Sequence, residues 1–134
     1  MRNQEGFTLI EMIVVIAIIG IISAVLVPQF GTMALRARMG ADISSLKILQ
    51  QQIEIYDVDH DSLPGSTIDE IMSTLLEADY INIKYLSSSK LKLETNGAQV
   101  IYDSTYKQVK LKVTSDQYKL YNNEDDKNQW LSQQ

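Results

Sequence analysis

Few side chains in this 134-residue chain have the character to do chemistry, and the most unusual of them is Glu11. Its carboxylate lies at the edge of an apolar run that extends from Met12 to Val27, in which only Gly20 and Ser23 are not plainly apolar. An ionised carboxylate is costly in lipid or in a dry protein core unless a positive group or hydrogen-bond donors pair with it. Glu11 is therefore predicted to have a partner, and electrostatic pairing is the chemistry that it offers.

The central polar residues do not form a catalytic or metal-binding pattern. His60 is the only histidine and the chain has no cysteine, so histidine triads, thiolate metal sites and disulfides are not predicted. Aspartates alternate over 57–61 as at the start of a calcium loop, but Ser62 replaces the turn glycine and Ile68 the bidentate glutamate. We therefore expect a solvated polar loop here.

A second acidic cluster, Glu124, Asp125 and Asp126, lies near the C-terminus. Its oxygens suit calcium, but their spacing defines no loop, so we expect an exposed acidic tail and keep the three carboxylates only as weak calcium candidates. Trp130 either packs this tail onto the domain or marks a contact surface. No cofactor is otherwise expected. Since no nucleophile–base set or phosphate-binding glycine loop is present, the chain is predicted not to be an enzyme.

The charge balance is acidic, with 12 Lys+Arg against 17 Asp+Glu. Binding to duplex nucleic acid requires clustered lysine and arginine side chains that neutralise phosphates. The longest basic feature is a set of alternating lysines in a predicted strand, so the sequence gives no evidence for direct nucleic-acid binding.

The apolar run is long enough to cross a membrane once its flanks, Phe7–Ile10 and Phe30, are included, because about 20 helical residues span a bilayer. A secretory signal peptide needs a basic N-terminal region and a small-residue cleavage site, which this sequence does not offer. A plain anchor leaves Glu11 unexplained, and a core helix would need a larger surrounding domain.

Residues 6–11, GFTLIE, followed by an apolar run that ends in VPQF, closely resemble the class III signal of type IV pilins and of the pseudopilins of type II secretion and competence systems. The strong resemblance covers about residues 6–56. It implies that a prepilin peptidase removes a leader, residues 1–6, by cutting after Gly6 and then methylates the new amino terminus at Phe7. Loss of Arg2 and Glu5 takes Lys+Arg from 12 to 11 and Asp+Glu from 17 to 16, so the net charge stays at −5.

The resemblance also implies roles for three residues within the apolar helix. Glu11 would meet the Phe7 amine of a neighbouring subunit and set the register of assembly, since a buried charge is tolerated when paired. Pro28 lacks an amide hydrogen, so the helix should kink or lose hydrogen bonds between about Ala24 and Pro28. In related filaments the stretch between the positions of Gly20 and Pro28 is melted, and a helix break is expected here.

The pattern becomes amphipathic after Pro28. Apolar residues recur at steps of three or four, which is typical of one face of a helix: Leu35, Met39, Ile43, Leu46, Leu49, Ile53 and Tyr56. The prediction is one long helix over residues 7–56, about 50 residues and about 75 Å long at 1.5 Å per residue. Residues 7–30 would form its membrane and filament-core part, and residues 31–56 its amphipathic part.

Residues 57–134 are predicted to form a globular head. The segment DVDHDSLPGS should end the long helix, and Thr67 with Glu70 forms a capping box that starts a short one. Four strands should follow. KLKLET and AQVIYD flank Asn96-Gly97, a strong hairpin signal, and YKQVKLKVTS and YKLYNN supply two more. Lys110 and Lys112 alternate with apolar residues, as in an edge strand.

The predicted fold class is α+β: a long N-terminal helix packed on a short helix and a C-terminal antiparallel sheet. The predicted function is that of a structural prepilin subunit of a type IV filament, with a secretion or competence pseudopilin as the alternative. A bitopic membrane protein that does not polymerise is the alternative from another class. The implied partners are copies of the chain, a prepilin peptidase, an assembly ATPase, a membrane platform protein and the membrane. The implied location is the cytoplasmic membrane before assembly, in single-pass form, and the cell surface afterwards.

Overall fold

The computed structural model describes residues 6–82, 86–87 and 90–134 of the chain. Residues 1–5 of the predicted leader lie outside the described residues. The elements follow in the order α1 Leu9–His60, α2 Ile68–Glu77, β1 Leu86–Ser87, β2 Lys90–Leu91, β3 Gln99–Asp103, β4 Gln108–Val113, α3 Ser115–Leu120, α4 Glu124–Trp130 and β5 Leu131–Gln133. The predicted α+β class is confirmed, with a long first helix, a short second helix and a small sheet. The chain divides into two compact units, residues 1–34 and 35–134.

Helix α1 begins and ends slightly later than predicted. It starts at Leu9 and continues through residues 57–60, so the prediction that DVDHDSLPGS breaks the helix from Asp57 was wrong for its first four residues. The helix ends because Asp61 adopts a left-handed conformation, with φ of 51°, which aspartate tolerates better than most residues. His60 stacks on Tyr56 with ring centroids 4.0 Å apart, which supports the last turn.

The core of the second unit lies between α1, α2 and the sheet. The buried face of α1 consists of Met39, Asp42, Ile43, Leu46, Leu49 and Ile53, which confirms the predicted apolar face and adds one carboxylate. Leu35 and Tyr56, at the two ends of that face, are partly buried and pack against the core. The opposing side chains are Ile71, Met72 and Leu75 of α2, Val109, Leu111 and Val113 of β4, and Tyr121, Trp130 and Leu131.

Helix α2 starts with the predicted capping box. The hydroxyl of Thr67 accepts from the Glu70 amide, and the Glu70 carboxylate accepts from the Thr67 amide at 3.3 Å. Gly65 lies close above this turn, since a Cβ at that position would stand 2.7 Å from the Cβ of Glu70. The short helix therefore begins where local hydrogen bonding predicts.

The predicted hairpin around Asn96-Gly97 was wrong. The turn is present, with Gly97 at a φ of 75° and the Ala98 amide donating to the Thr95 carbonyl, but the KLKLET arm does not pair with β3. The amides of Glu94 and Thr95 donate instead to the Asp42 carboxylate, at 2.7 and 2.8 Å. These two backbone amides are therefore bonded to a side chain of α1 and not to a neighbouring strand. Strand β3 pairs antiparallel with β4.

The C-terminal elements also differ from the prediction. YKLYNN was expected to be a strand, but Thr114 and Gln117 form a capping box and residues 115–120 are helical. The acidic residues, predicted to form an exposed tail, lie in α4 over residues 124–130, where Glu124 and Asp125 are exposed, and β5 then pairs parallel with β4. In the described part of the chain β4 is therefore the central strand of a mixed sheet, in the order β3-β4-β5, and its lysines do not mark an edge.

Candidate processing and assembly site

The first unit exposes a long apolar helical surface. Every residue from 6 to 31 is exposed, and no charged side chain occurs between Glu11 and Arg36. An 18-residue window of α1 has a mean hydropathy of 2.9 and is 0% buried, so this helix is long and apolar enough to cross a membrane. Exposed apolar surface costs about 25 cal/mol per Å² in water, so a surface of this size is built to be covered by lipid or protein.

Glu11 caps the helix on which it lies. Its Oε2 accepts from the Thr8 amide at 2.7 Å, and the Thr8 hydroxyl accepts from the Glu11 amide at 3.3 Å. This reciprocal capping box also places a negative charge in the first turn of α1, where the helix dipole favours it. The sequence analysis missed it, although Thr8 and Glu11 have the same T-x-x-E spacing that located the start of α2.

The predicted cleavage residues lie just outside this cap. Gly6 and Phe7 precede the first residue of α1, and Phe7 is 80% exposed. Among the residues that the structure describes, none would lie within 4 Å of a Cβ added to Gly6, so there is open space on this side of the backbone. Phe7 is bonded directly to Thr8, so the amine released by cutting after Gly6 would lie next to the residue that Glu11 already holds.

Gly20 and Pro28 both lie inside α1, and the helix is assigned without interruption through them. The structure therefore has a continuous helix at both residues. Pro28 has no amide hydrogen, so the carbonyl of Ala24 has no helical donor, as the sequence predicts. Melting between Gly20 and Pro28 in a filament stays a prediction.

Two of the acidic residues near the C-terminus form ion pairs with different lysines. Glu124 pairs with Lys127 at 3.1 Å, and Asp126 pairs with Lys47 at 2.7 Å. Within residues 6–82, 86–87 and 90–134, no group of three or more His, Cys, Asp or Glu side chains is placed to hold a metal ion. Trp130 is 7% exposed, so it packs into the domain, as one of its two predicted roles requires.

Asp126 and the nearby Tyr121 link the C-terminal segment to the core. Burial, together with the Asp126 charge, raises the pKa of the Tyr121 hydroxyl. A similar pair lies at the end of α1, where the hydroxyl of Tyr80 donates to Asp59 at 2.6 Å. This hydrogen bond is the largest cause of the raised pKa of Tyr80. These acidic side chains therefore hold elements together.

Known proteins share the N-terminal features described above. The prokaryotic N-terminal methylation motif matches residues 1–27. A fimbrial protein of Neisseria meningitidis serogroup B is 31% identical over 112 residues, which cover 84% of this chain and 64% of that protein. The chain is therefore similar, through its N-terminal segment, to fimbrial proteins of the type IV pilin kind.

Other relatives of this pilin-like chain come from two further systems. Type II secretion system core protein G of Pseudomonas aeruginosa is 34% identical over 65 residues, 48% of this chain and 46% of that protein. Competence protein ComGC of Halalkalibacterium halodurans is 38% identical over 63 residues, 47% of this chain and 62% of that protein. The chain thus spans less than two thirds of the length of each of these relatives. No solved structure matches it.

Proposed function

We propose that this chain is a structural subunit, a prepilin, of a type IV filament and that it acts by assembly rather than by catalysis. The observation that carries the proposal is the methylation motif at the start of an apolar helix whose residues 9–31 are all exposed. Such a helix is stable in water only when it is covered, and copies of itself or a membrane supply that cover. The fimbrial relative, matched over 84% of this chain, supports the same reading.

The proposed sequence of events starts in the cytoplasmic membrane, where the chain is inserted once through α1. A prepilin peptidase cuts after Gly6 and methylates Phe7. An assembly ATPase and a membrane platform protein then move the subunit into a surface filament whose core is built from the N-terminal helices. The open backbone at Gly6 supports the first step, because a peptidase requires an accessible chain.

Glu11 has a two-stage role in this proposal. In the single chain the capping box holds its carboxylate at the first turn of α1, 2.7 Å from the Thr8 amide. A carboxylate accepts several hydrogen bonds, so the same group can also receive the methylated amine of a neighbour's Phe7. Once buried, such a pair is hard to break, since loss of one partner typically costs about 3–5 kcal/mol.

Mass spectrometry of the membrane and filament fractions tests the processing. The expected chain begins at a methylated Phe7 and lacks residues 1–6. A Gly6→Leu variant is the matched control, since a bulky side chain at the cut should leave the leader in place. An intact Met1 in assembled wild-type protein would overturn the proposal, as would a cut beyond Ala24.

Substitutions at Glu11 test the registration role. Glu11→Val should be processed but assemble poorly, because the neighbour's amine loses its partner. Glu11→Gln keeps an acceptor for Thr8 without the charge and should also assemble poorly. Thr8→Ala removes the cap hydroxyl and keeps the carboxylate, so it should still assemble. Normal filaments from both Glu11 variants would remove the role from Glu11.

The similarity to protein G and to ComGC favours one second candidate, a pseudopilin of a secretion or competence system. Both candidates use the same processing and the same helix. The genes that surround the coding sequence distinguish them, since pilus, secretion and competence operons carry different neighbours. A membrane protein that is processed but never cross-links to its own copies would instead fit the bitopic alternative.

A further inference from the structure

A turn over residues 95–98 joins two segments that lie on either side of it without pairing. The first segment, residues 91–95, is called here the strap, and the second is β3. The Ala98 amide donates to the Thr95 carbonyl at 3.3 Å and closes the turn, but among the described strands β3 pairs only with β4. The strap and β3 therefore form a hairpin whose turn is present and whose arms are apart.

The two arms match in sequence at the positions that the turn sets opposite each other. With Thr95 opposite Ala98, each further step along the strap meets one step along β3. The opposed pairs are Glu94 with Gln99, Leu93 with Val100, Lys92 with Ile101, and Leu91 with Tyr102. The members of the second and fourth pairs all pack against the core already, so pairing of the arms would keep these side chains on one face.

The type of turn accounts for the separation of the arms. Gly97 has a φ of 75° and the φ of Asn96 is not positive, a combination that is typical of a type II turn. Type II turns splay the strands that they connect, whereas a type I′ turn, with positive φ at both central residues, lets them pair. Asn-Gly is among the sequences most typical of type I′ turns. The residues of this turn therefore suit a closed hairpin better than the open one.

Asp42 holds the strap in the open position. Its carboxylate is 1% exposed and accepts from the amides of Glu94 and Thr95 at 2.7 and 2.8 Å. In a closed two-residue hairpin the Thr95 amide would donate to the Ala98 carbonyl instead. The two arrangements therefore compete for this donor, and the ionised carboxylate makes the stronger hydrogen bond.

The open arrangement leaves space beside the strap. A cavity of about 720 Å³ is lined by both arms and by α2, with Leu93, Val100 and Met72 among its walls. In the described part of the chain, two buried side-chain oxygens have no hydrogen-bond partner, the hydroxyls of Thr95 and Tyr102, and one belongs to each arm. Folded proteins seldom leave such groups unpaired. The open hairpin is therefore incompletely packed, and the cavity gives the strap room to move.

We propose that the strap is a conformational switch with two positions. In the open position the Asp42 carboxylate holds it against α1. In the closed position Asn96 takes a positive φ, the turn becomes type I′, and the strap pairs with β3 as a further strand of the sheet. Because the group that holds the strap is a side chain of α1, the edge of the sheet is free or covered according to what Asp42 contacts.

A disulfide between the two arms reports the closed position, since the chain has no cysteine of its own. Lys92→Cys and Ile101→Cys are introduced together into the full chain, which is kept in detergent. Closure makes these residues a non-hydrogen-bonded pair with Cα atoms about 4.5 Å apart, within the range of a disulfide. The rate of disulfide formation under mild oxidation is then measured by mass spectrometry after alkylation of the remaining thiols.

Asp42→Asn, added to this two-cysteine chain, tests the group that holds the strap. Asparagine keeps an acceptor oxygen but loses the charge, so the rate should rise at least about threefold, because neutral hydrogen bonds are weaker than charge-assisted ones. Glu77→Gln neutralises an exposed carboxylate on α2 and is the matched control. It should leave the rate unchanged.

Asn96→Pro, in the same two-cysteine chain, tests the change of turn independently of Asp42. Proline fixes φ near −65°, which suits the first central position of a type II turn and prevents a type I′ turn. Most of the disulfide should therefore be lost. Asn96→Gly is the control, since glycine adopts positive φ freely, and it should not lower the rate.

The outcomes decide between a switch and a fixed strap. Equal rates in the two-cysteine chain with and without Asp42→Asn or Asn96→Pro would overturn the switch. A faster reaction with Asp42→Asn that Asn96→Pro does not slow would overturn the type I′ closure. If circular dichroism shows that Asp42→Asn does not fold, Asn96→Pro decides alone, and an unchanged rate overturns the proposal. Processing after Gly6 and filament formation are measured separately, so the proposed function does not depend on these results.

Discussion

At the scale of single residues, two carboxylates, one exposed and one buried, are stabilised by backbone amides. Glu11 accepts from the Thr8 amide, and Asp42, which is 1% exposed, accepts from the amides of Glu94 and Thr95. Hydrogen bonds to an ionised acceptor are stronger than neutral ones, so they offset much of the cost of placing the charge there. Asp42 is therefore a structural residue that ties the 92–95 segment to α1.

An Asp42→Ala substitution should destabilise the chain by about 2–4 kcal/mol, because it leaves two amide donors without an acceptor, one of them buried. Urea unfolding of the full chain in detergent, followed by circular dichroism, measures this. Glu77→Ala is the control, since Glu77 is exposed on α2, and it should change the free energy of unfolding by less than about 0.5 kcal/mol. Equal effects of the two substitutions would show that the Asp42 contacts do not stabilise the fold.

At the scale of elements, the described helices α1, α2 and α3 start with the same local motif. Reciprocal capping boxes begin three helices, α1 at Thr8 and Glu11, α2 at Thr67 and Glu70, and α3 at Thr114 and Gln117. Each satisfies amides that a helix start would otherwise leave unpaired. The capping box of α3 explains why YKLYNN is not a strand. Thr114 and Gln117 lie before this segment and start a helix that runs into it, whereas the strand prediction considered only the alternating residues of the segment itself.

The cap of α2 predicts a pH dependence. Hydrogen bonds from the Ser66 amide and hydroxyl, and then from Thr67, lower the pKa of the Glu70 carboxyl. A lowered folded pKa gives stability that is present above the ordinary carboxyl pKa and is lost as the pH falls through the folded value. Glu70→Gln should therefore unfold at lower urea than the wild type at about pH 6, with the difference shrinking toward about pH 2.

The control for this prediction is Glu77→Gln at the other end of α2. Glu77 is exposed and does not take part in the cap, so its substitution should leave the pH dependence close to that of the wild type. A difference between wild type and Glu70→Gln that stays constant over this pH range would mean that the carboxylate charge does not strengthen the cap.

At the scale of the whole molecule, the two units differ in what stabilises them. The buried hydrophobic cluster consists entirely of residues from Met39 onward, so the second unit contains its own core. In the first unit the described residues 6–31 are all exposed, so that part of the chain has no core of its own. The second unit is therefore expected to fold by itself. The apolar surface of the first unit must be covered by lipid or by another protein.

A fragment that starts at Leu35 should consequently fold without the apolar run. We expect residues 35–134 to be soluble and to unfold cooperatively, as measured by circular dichroism and urea titration. A fragment of residues 47–134 is the control and should not fold, because it lacks the core residues Met39, Ile43 and Leu46. An unfolded 35–134 fragment would show that the first unit is needed for the core.

The sequence by itself determined the features that depend on local periodicity and spacing. The apolar run, the GFTLIE segment, the amphipathic face after Pro28, the Thr67 cap and the inward face of β4 all follow from patterns within a few residues. They are predictable because side-chain direction repeats every 3.6 residues in a helix and every two in a strand. The methylation motif over residues 1–27 agrees with the resemblance read from the same residues.

Only the tertiary structure decided which backbone groups meet across long separations. Asp42 lies 52 residues from Glu94 in the chain. The KLKLET pattern therefore does not show that backbone amides of this segment donate to a side chain of α1. The parallel pairing of β5 with β4 requires α3 and α4 to return the chain to the sheet, and the strong alternation of β4 gave no sign that it is central. Local pattern specifies what an element is, whereas its partners depend on packing and on competition for hydrogen bonds over the whole domain.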